Sequence, residues 1–452
     1  MDILKRCSGS TFCSYAKRFE KGFCSVLYVY GALPQSLSGI TLGRSLCTAI
    51  DDKVNHHHQK KALQRNVEQS KIVHHPQRNI SYSLPSVAEL DAAGKETSPT
   101  IPEYIVKRLK NLQIDIITSI LEHSQISSQQ ISSKTTVTNF SKNLQEMAKY
   151  YFDQGGKLFR PTITLLMSDA CSQITKPNYT GDDLIDLNQY RIAMVSEMIH
   201  TASLVHDDVI DESGTRRGAP TVNARWGNRQ AVLVGDFILA RATKVLCSIG
   251  EPPVISTMAE IVEDLVQGEL MQLTLPPELE PVQRFQHYMT KTFYKTASLF
   301  ANSCKSVAML AGCDEKVQKD AFEYGRHLGL AFQLVDDMLD YVATSEVLGK
   351  PAASDLKLGL ATCPVLYAAH DYPELNQLIN RRFKNDGDVE KALKIVIGSR
   401  GLEKTKELAK EHCYAAASLY PHYIVQCEYC RFLTFIFKII SFHGYCTIYE
   451  SL

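Results

Sequence analysis

The chain has 452 residues, with 49 basic side chains against 49 acidic ones, so its formal net charge is zero. That balance argues against a nucleic-acid-binding protein, which needs a basic excess to meet the phosphate backbone. A hydrophobic content of 44% allows a sizeable core in one large domain or two ordinary ones, and no run reaches the roughly 18 apolar residues of a membrane span.

Residues 1–50 carry Lys5, Arg6, Lys17, Arg18, Lys21 and Arg44 among Ser, Cys and small residues, with few acids, which fits a mitochondrial transit peptide. Residues 51–100 are polar, with His56-His57-His58 and His74-His75, and read as a solvated, disordered linker. From 101 to 420 the pattern is helical nearly throughout, apart from Ser124 to Thr138, which reads as a loop. Ile192, Val195, Met198, Ile199, Ala202 and Val205 recur at helical steps, as do Ile255, Ala259, Val262, Leu265 and Val266, and the run from Phe322 to Val335. Strand-like alternation is scarce, so one large all-α bundle is expected. After about Ala417 the sequence turns into an aromatic-rich tail, 421–452, to which no role is assigned. The 13 cysteines form no disulfide framework and suggest a reducing compartment. The Cys427-x-x-Cys430 pair lacks the partners of a zinc site.

Two Asp-rich pentads dominate the helical region: Asp207-Asp208-Val209-Ile210-Asp211 and Asp336-Asp337-Met338-Leu339-Asp340. Residues four apart share a helix face, so Asp207 points with Asp211, and Asp336 with Asp340. Carboxylates so grouped repel one another unless a cation lies between them. Hard oxygen ligands suit Mg²⁺, which prefers to share its shell with phosphate oxygens. Basic segments flank these clusters. Gly155-Gly156-Lys157-Leu158-Phe159-Arg160-Pro161 reads as a loop feeding a helix start, where free backbone N–H groups also attract anions. Arg216 and Arg217 follow the first pentad, and Lys350 and Lys357 follow the second, while Lys295 follows an aromatic helix.

Quoted as they stand, GGKLFRP, EMIHTASLVHDDVIDESGTRRG, VLVGDFILARA, KTASLFANSCK, GLAFQLVDDMLDY and GKPAASDLKLGLAT resemble the trans-prenyltransferases, the polyprenyl diphosphate synthases. The resemblance covers roughly residues 145 to 412 and is strongest to the mitochondrial branch that makes decaprenyl and solanesyl chains for the ubiquinone tail. A lone DDxxD is a weak signal, but two copies with GGKxxRP, RRG and KT in family order are not a coincidence of composition. The resemblance implies an isoprenoid-synthase bundle with the Asp motifs facing a central cavity. It implies that Asp207 and Asp211 bind Mg²⁺ bridging an allylic diphosphate, with Asp208 supporting. It implies that Asp336 binds a further Mg²⁺, with Asp337 and Asp340 completing the second cluster. Arg216, Lys295, Thr296, Gln333 and Lys350 are implied on the allylic diphosphate, and Lys157, Arg160, His200 and Arg217 on isopentenyl diphosphate. His200, Thr296 and Gln333 also have plain readings, as a core histidine, a helix residue bonding its own backbone, and a partner for a buried backbone group. Gly235-Asp236 reads as support for the fold.

No covalent nucleophile is needed, because an ionised allylic group can be attacked directly by the double bond of isopentenyl diphosphate. The resemblance also implies that bulky aromatics at Ala202 and Ser203, below Asp207, would stop elongation, so the small residues here imply a deep tail channel and a long product of about eight to ten isoprene units. Met198 and Ile199 would lie one turn deeper. A class I terpene cyclase also uses DDxxD, but it lacks the second DDxxD and the GGKxxRP site. A non-catalytic or impaired subunit of a heteromeric synthase is the remaining alternative, since the tail departs from the family's charged ending. A homodimer, or a heteromer with a second synthase subunit, and peripheral contact with the inner mitochondrial membrane complete the expectation.

Overall fold

The computed structural model describes residues 101–122, 134–178, 181, 185–274, 279–342 and 353–419. The expected leader, linker and tail, with Lys350, Cys427 and Cys430, lie outside these residues. Among them the chain is all-α but for one short ladder, as the periodicity implied. The elements in order are α1 (Glu103–Leu121), α2 (Lys134–Asp153), α3 (Phe159–Thr175) and α4 (Leu187–Ile210). A hairpin of β1 (Thr215–Arg216) and β2 (Ala219–Pro220) follows, then α5 (Val222–Trp226), α6 (Asn228–Cys247), α7 (Pro252–Leu273) and α8 (Pro281–Thr292). A π turn at Phe293–Ala297 runs into α9 (Ser298–Leu310), followed by α10 (Glu315–Val342) and α11 (Ser354–Lys357). The last elements are α12 (Cys363–Asp371), α13 (Leu375–Asn380), α14 (Asp388–Gly398) and α15 (Gly401–Ser418).

Helix α4 is the central rod. Asp186 and Gln189 form a capping box at its start, which satisfies two orphan N–H groups and fixes where it begins. All six apolar positions expected on it, from Ile192 to Val205, are buried, and so are Met194, Ser196 and Glu197 on its other sides. A helix covered all round must have neighbours all round, and α4 packs against α3, α6 and α9. Helices α9 and α10 pack together with backbones nearly touching. A Cβ added at Gly329 would lie 2.4 Å from Ala297 Cα, so only glycine lets α10 reach the π turn. A smaller core gathers α11 to α14 around Leu356, Val365, Leu375 and Val396.

Two expectations are corrected. The loop expected from Ser124 to Thr138 ends sooner, because α2 already begins at Lys134. In α7 the helix is right but its face is not. The buried side is Val254, Thr257, Met258, Ile261 and Gly268, while Val266 is 50% exposed. α7 is apolar on two faces, and periodicity alone cannot say which of them finds a partner.

Candidate active site

The hairpin between α4 and α5 sends its two arginines to different places. Register Arg216↔Ala219 leaves a two-residue turn, Arg217-Gly218, with φ of 52° and 77°. Two positive φ values make the mirror-image turn that matches the strand twist, and they are costly for an arginine. Arg216 turns back to α4 and donates to Asp208 Oδ1 through Nε at 2.9 Å and Nη2 at 2.8 Å. Tyr151 also donates to Asp208. Arg217 reaches the glycine-rich loop, where it donates to the Gly155 carbonyl.

That loop enters α3 through Leu158 in the left-handed region, φ 50°. It brings Lys157 beside Arg217, and Arg160 beside His200, whose Nε2 lies 3.0 Å from Arg160 Nη1. Arginine can only donate, so His200 accepts there with its neutral imidazole. Burial, and the guanidinium groups of Arg160 and Arg217, push its pKa well below the usual histidine range. Burial and Arg217 bring the Lys157 ammonium down to about 8. Arg160 also lies over the Phe300 and Phe332 rings, 5.2 and 5.8 Å from their centroids, which fixes its plane. All four residues expected to hold isopentenyl diphosphate thus meet in one cation-rich pocket.

The first pentad divides by burial. Asp208 faces inward and is spent on Arg216 and Tyr151. Asp207 and Asp211, one turn apart, are only partly buried, and among the described residues no hydrogen bond claims either side chain. Burial raises the Asp207 pKa to about 6, with the negative charges of Glu269 and Asp211 adding to it and Lys295 opposing. Burial raises Asp211 as well, with Glu269 and Asp208 adding to it and Lys295 and Arg216 opposing. Ser203 is partly exposed and donates to the His200 carbonyl at 2.9 Å, while Ala202 is fully buried.

The second pentad divides likewise. Asp337 accepts from Tyr288 at 2.6 Å and from Gln333 at 2.9 Å. Asp340 accepts from Ser354 N at 3.1 Å, Ser354 Oγ at 2.6 Å and Asp355 N at 2.9 Å, so it caps the start of α11. Asp336 is the more exposed of the three, with Gln333 Nε2 at 3.5 Å. The residues between the pentads come from the π turn, a feature that recurs at functional sites. Its wide turn lets adjacent residues serve different partners. Lys295 pairs with Glu269 and feels Asp207 and Asp211, while Thr296 donates to Gln333 Oε1 at 2.8 Å. Gln333 therefore ties the turn to Asp337. Lys350 falls outside the described residues.

The site also holds residues that the motifs did not reveal. Tyr151 and Tyr288 each anchor one pentad's inner aspartate. Glu197 is a buried carboxyl in the cation-rich pocket, raised by burial and opposed by Arg160 and Arg217. Glu269 sits in an ordinary helical run, and its one signal was the interior glycine before it.

The all-α bundle thus carries two aspartate clusters beside a cluster of basic side chains. The chain belongs to the polyprenyl synthetase family, whose model matches residues 141–396. It is 48% identical over 276 residues to the human protein named all trans-polyprenyl-diphosphate synthase, covering 61% of this chain and 65% of that one. It is 42% identical over 327 residues to the decaprenyl-diphosphate synthase of Dictyostelium discoideum, covering 72% and 68%. It is 47% identical to the mitochondrial solanesyl-diphosphate synthase 1 of rice, and the match spans 65% of that protein. Among solved structures, a medium/long-chain prenyl pyrophosphate synthase of Arabidopsis in its apo form superposes with a TM-score of 0.57 at 32% identity, over 77% of this chain and 100% of that one. A polyprenyl synthase of Caulobacter crescentus, complexed with calcium and isoprenyl diphosphate, superposes with a TM-score of 0.61 at 27% identity, over 76% and 99%.

Proposed function

We propose that this chain is a Mg²⁺-dependent, long-chain all-trans-polyprenyl diphosphate synthase. It adds isopentenyl diphosphate repeatedly to a farnesyl or geranylgeranyl primer, and its product is the side chain of ubiquinone. The observation that carries the reading is the pairing of two distinct charge sites: Lys157, Arg160 and Arg217 around a neutral His200, and the outer aspartates with Lys295 beside them. One diphosphate substrate needs one such site, and a condensation needs two.

The donor chemistry fits Mg²⁺. Asp207, Asp211 and Asp336 would hold it, as hard oxygen donors that are less buried than Asp208, Asp337 and Asp340. Such an ion would share its shell with substrate phosphate oxygens. When bound, Mg²⁺ would neutralise the departing allylic diphosphate. Lys295 and Thr296 position that diphosphate from the π turn. Arg216, whose side chain stays 30% exposed despite its pair with Asp208, offers its remaining N–H groups to it. Lys157, Arg160 and Arg217 clamp isopentenyl diphosphate so that its double bond lies against the ionising carbon. His200 holds Arg160 in place as an acceptor. The proton released on bond formation leaves to the departing diphosphate, and the apolar helices around the cavity keep water from the cation. The tail would run past the small Ala202 and Ser203, where a bulkier side chain would stop it.

The mitochondrion is the proposed compartment, in line with the names of the rice and other relatives. No helix among the described residues is long and apolar enough to cross a membrane; the water-insoluble product is what would bring the chain into peripheral contact with the inner membrane. The working form is a homodimer or a heteromer with a second synthase subunit. The test is a product assay on the full chain with farnesyl diphosphate, labelled isopentenyl diphosphate and Mg²⁺, with Asp207→Ala as control. A long polyprenyl product that disappears in the control supports the reading. Absence of product from the wild-type chain refutes independent catalysis.

A further inference from the structure

Glu269 takes no part in the chemistry above, yet it sits within reach of it. Its carboxylate accepts from Lys295 Nζ, and the two side chains are only 14% and 20% exposed. The contact is built into the backbone. A Cβ added at the preceding Gly268 would lie 2.7 Å from Lys295 Cγ and 3.1 Å from Lys295 N, so α7 touches the π turn where the pair forms. The Lys295 ammonium also feels Asp207 and Asp211. It therefore has two sets of carboxylates to choose between. A lysine head on a flexible stem goes where the nearest charge draws it. Freed from Glu269, it would fall on the aspartate pair and occupy the oxygens that a cation needs.

We infer that Glu269 is a positioning residue that holds Lys295 off the Asp207–Asp211 pair, keeping both carboxylates open to Mg²⁺ and the ammonium aimed at the allylic diphosphate. This rests on the reading of the first pentad as the Mg²⁺ site. Glu269→Gln keeps the side chain's shape and loses its charge, while Glu269→Asp keeps the charge on a shorter stem.

The experiment is a thermal-shift titration of the full chain with Mg²⁺ in the presence of inorganic pyrophosphate, alongside initial rates. Glu269→Gln is expected to raise the Mg²⁺ concentration at half-maximal shift about five- to tenfold, the usual size of a coupling between neighbouring sites. KM for the allylic substrate should rise, while KM for isopentenyl diphosphate stays within about twofold. Glu269→Asp should fall in between. In a Lys295→Met background the Glu269→Gln change should do nothing further, because the residue that it restrains is gone. Two results overturn the inference alone: an unmoved Mg²⁺ midpoint in Glu269→Gln, or a penalty that persists in the Lys295→Met background. A wild-type chain with no Mg²⁺-dependent shift overturns the metal reading, and this inference with it.

Discussion

Asp207 and Asp208 are neighbours in one pentad, and their replacement by alanine is expected to separate activity from stability. Asp208 is 1% exposed and is the counter-ion of Arg216, whose side chain is 30% exposed, and it also accepts from Tyr151. Asp208→Ala strands a largely buried guanidinium and a tyrosine hydroxyl, and breaking a buried pair from one side costs about 3–5 kcal/mol. In a domain of this size about 2–4 °C of Tm is lost per kcal/mol, so a fall of roughly 6–20 °C is expected. Asp207 is the reverse case. Its pKa is raised from 3.8 to about 6 by burial and by like charges, so at neutral pH the folded chain without metal bears a penalty. At about 1.36 kcal/mol per unit that penalty is at most about 3 kcal/mol. The raised carboxyl binds protons more readily when folded, so the penalty is full above pH 6 and vanishes below 3.8. Asp207→Ala should therefore hold or raise Tm at pH 7 without Mg²⁺, while abolishing product. The assay is a denaturation series with EDTA, paired with product formation at matched folded fractions. The reasoning is refuted if the two variants lose the same Tm, or if Asp208→Ala melts with the wild type.

Ala202→Phe is expected to shorten the product sharply, read as chain length on reverse-phase separation, and an unchanged length would sink the tail-channel model. Gly329→Ala places a methyl 2.4 Å from Ala297 Cα, so it should force α10 off the π turn. Overpacking of this kind costs about 1–3 kcal/mol and would be seen as lower Tm together with weaker allylic binding. The α10–α15 seam should be acid-sensitive. His327 Nδ1 and His412 Nδ1 lie 2.8 Å apart, beside Arg326 and Glu323. Burial, with the Arg326 charge, lowers the first to about 4, and burial, with His327 and Arg326, lowers the second to about 3. The unfolded chain takes up those protons near 6.5, so stability should fall as pH drops from 6.5 towards 4 and 3. His412→Leu should flatten that slope, and an unaltered Tm–pH curve would contradict it.

Periodicity was enough to read the bundle and the buried apolar positions of α4, and the motifs named most of the charged residues that the fold brings together. Helical spacing is local, and a turn-by-turn apolar pattern has few other solutions. Spacing also implied that Asp207 shares a face with Asp211. What it could not do was rank the aspartates, because burial is a property of neighbours. Only the fold shows that Asp208, Asp337 and Asp340 are engaged by Arg216, Tyr288 and the start of α11, and that Asp207, Asp211 and Asp336 are the less buried members. The wrong face for α7 has the same origin, since a helix with two apolar sides is oriented by its partners. The π turn and Glu269 were invisible for a related reason. One extra residue in a turn leaves no mark on composition, and a glutamate in a helix is ordinary until a lysine 26 residues further along folds onto it.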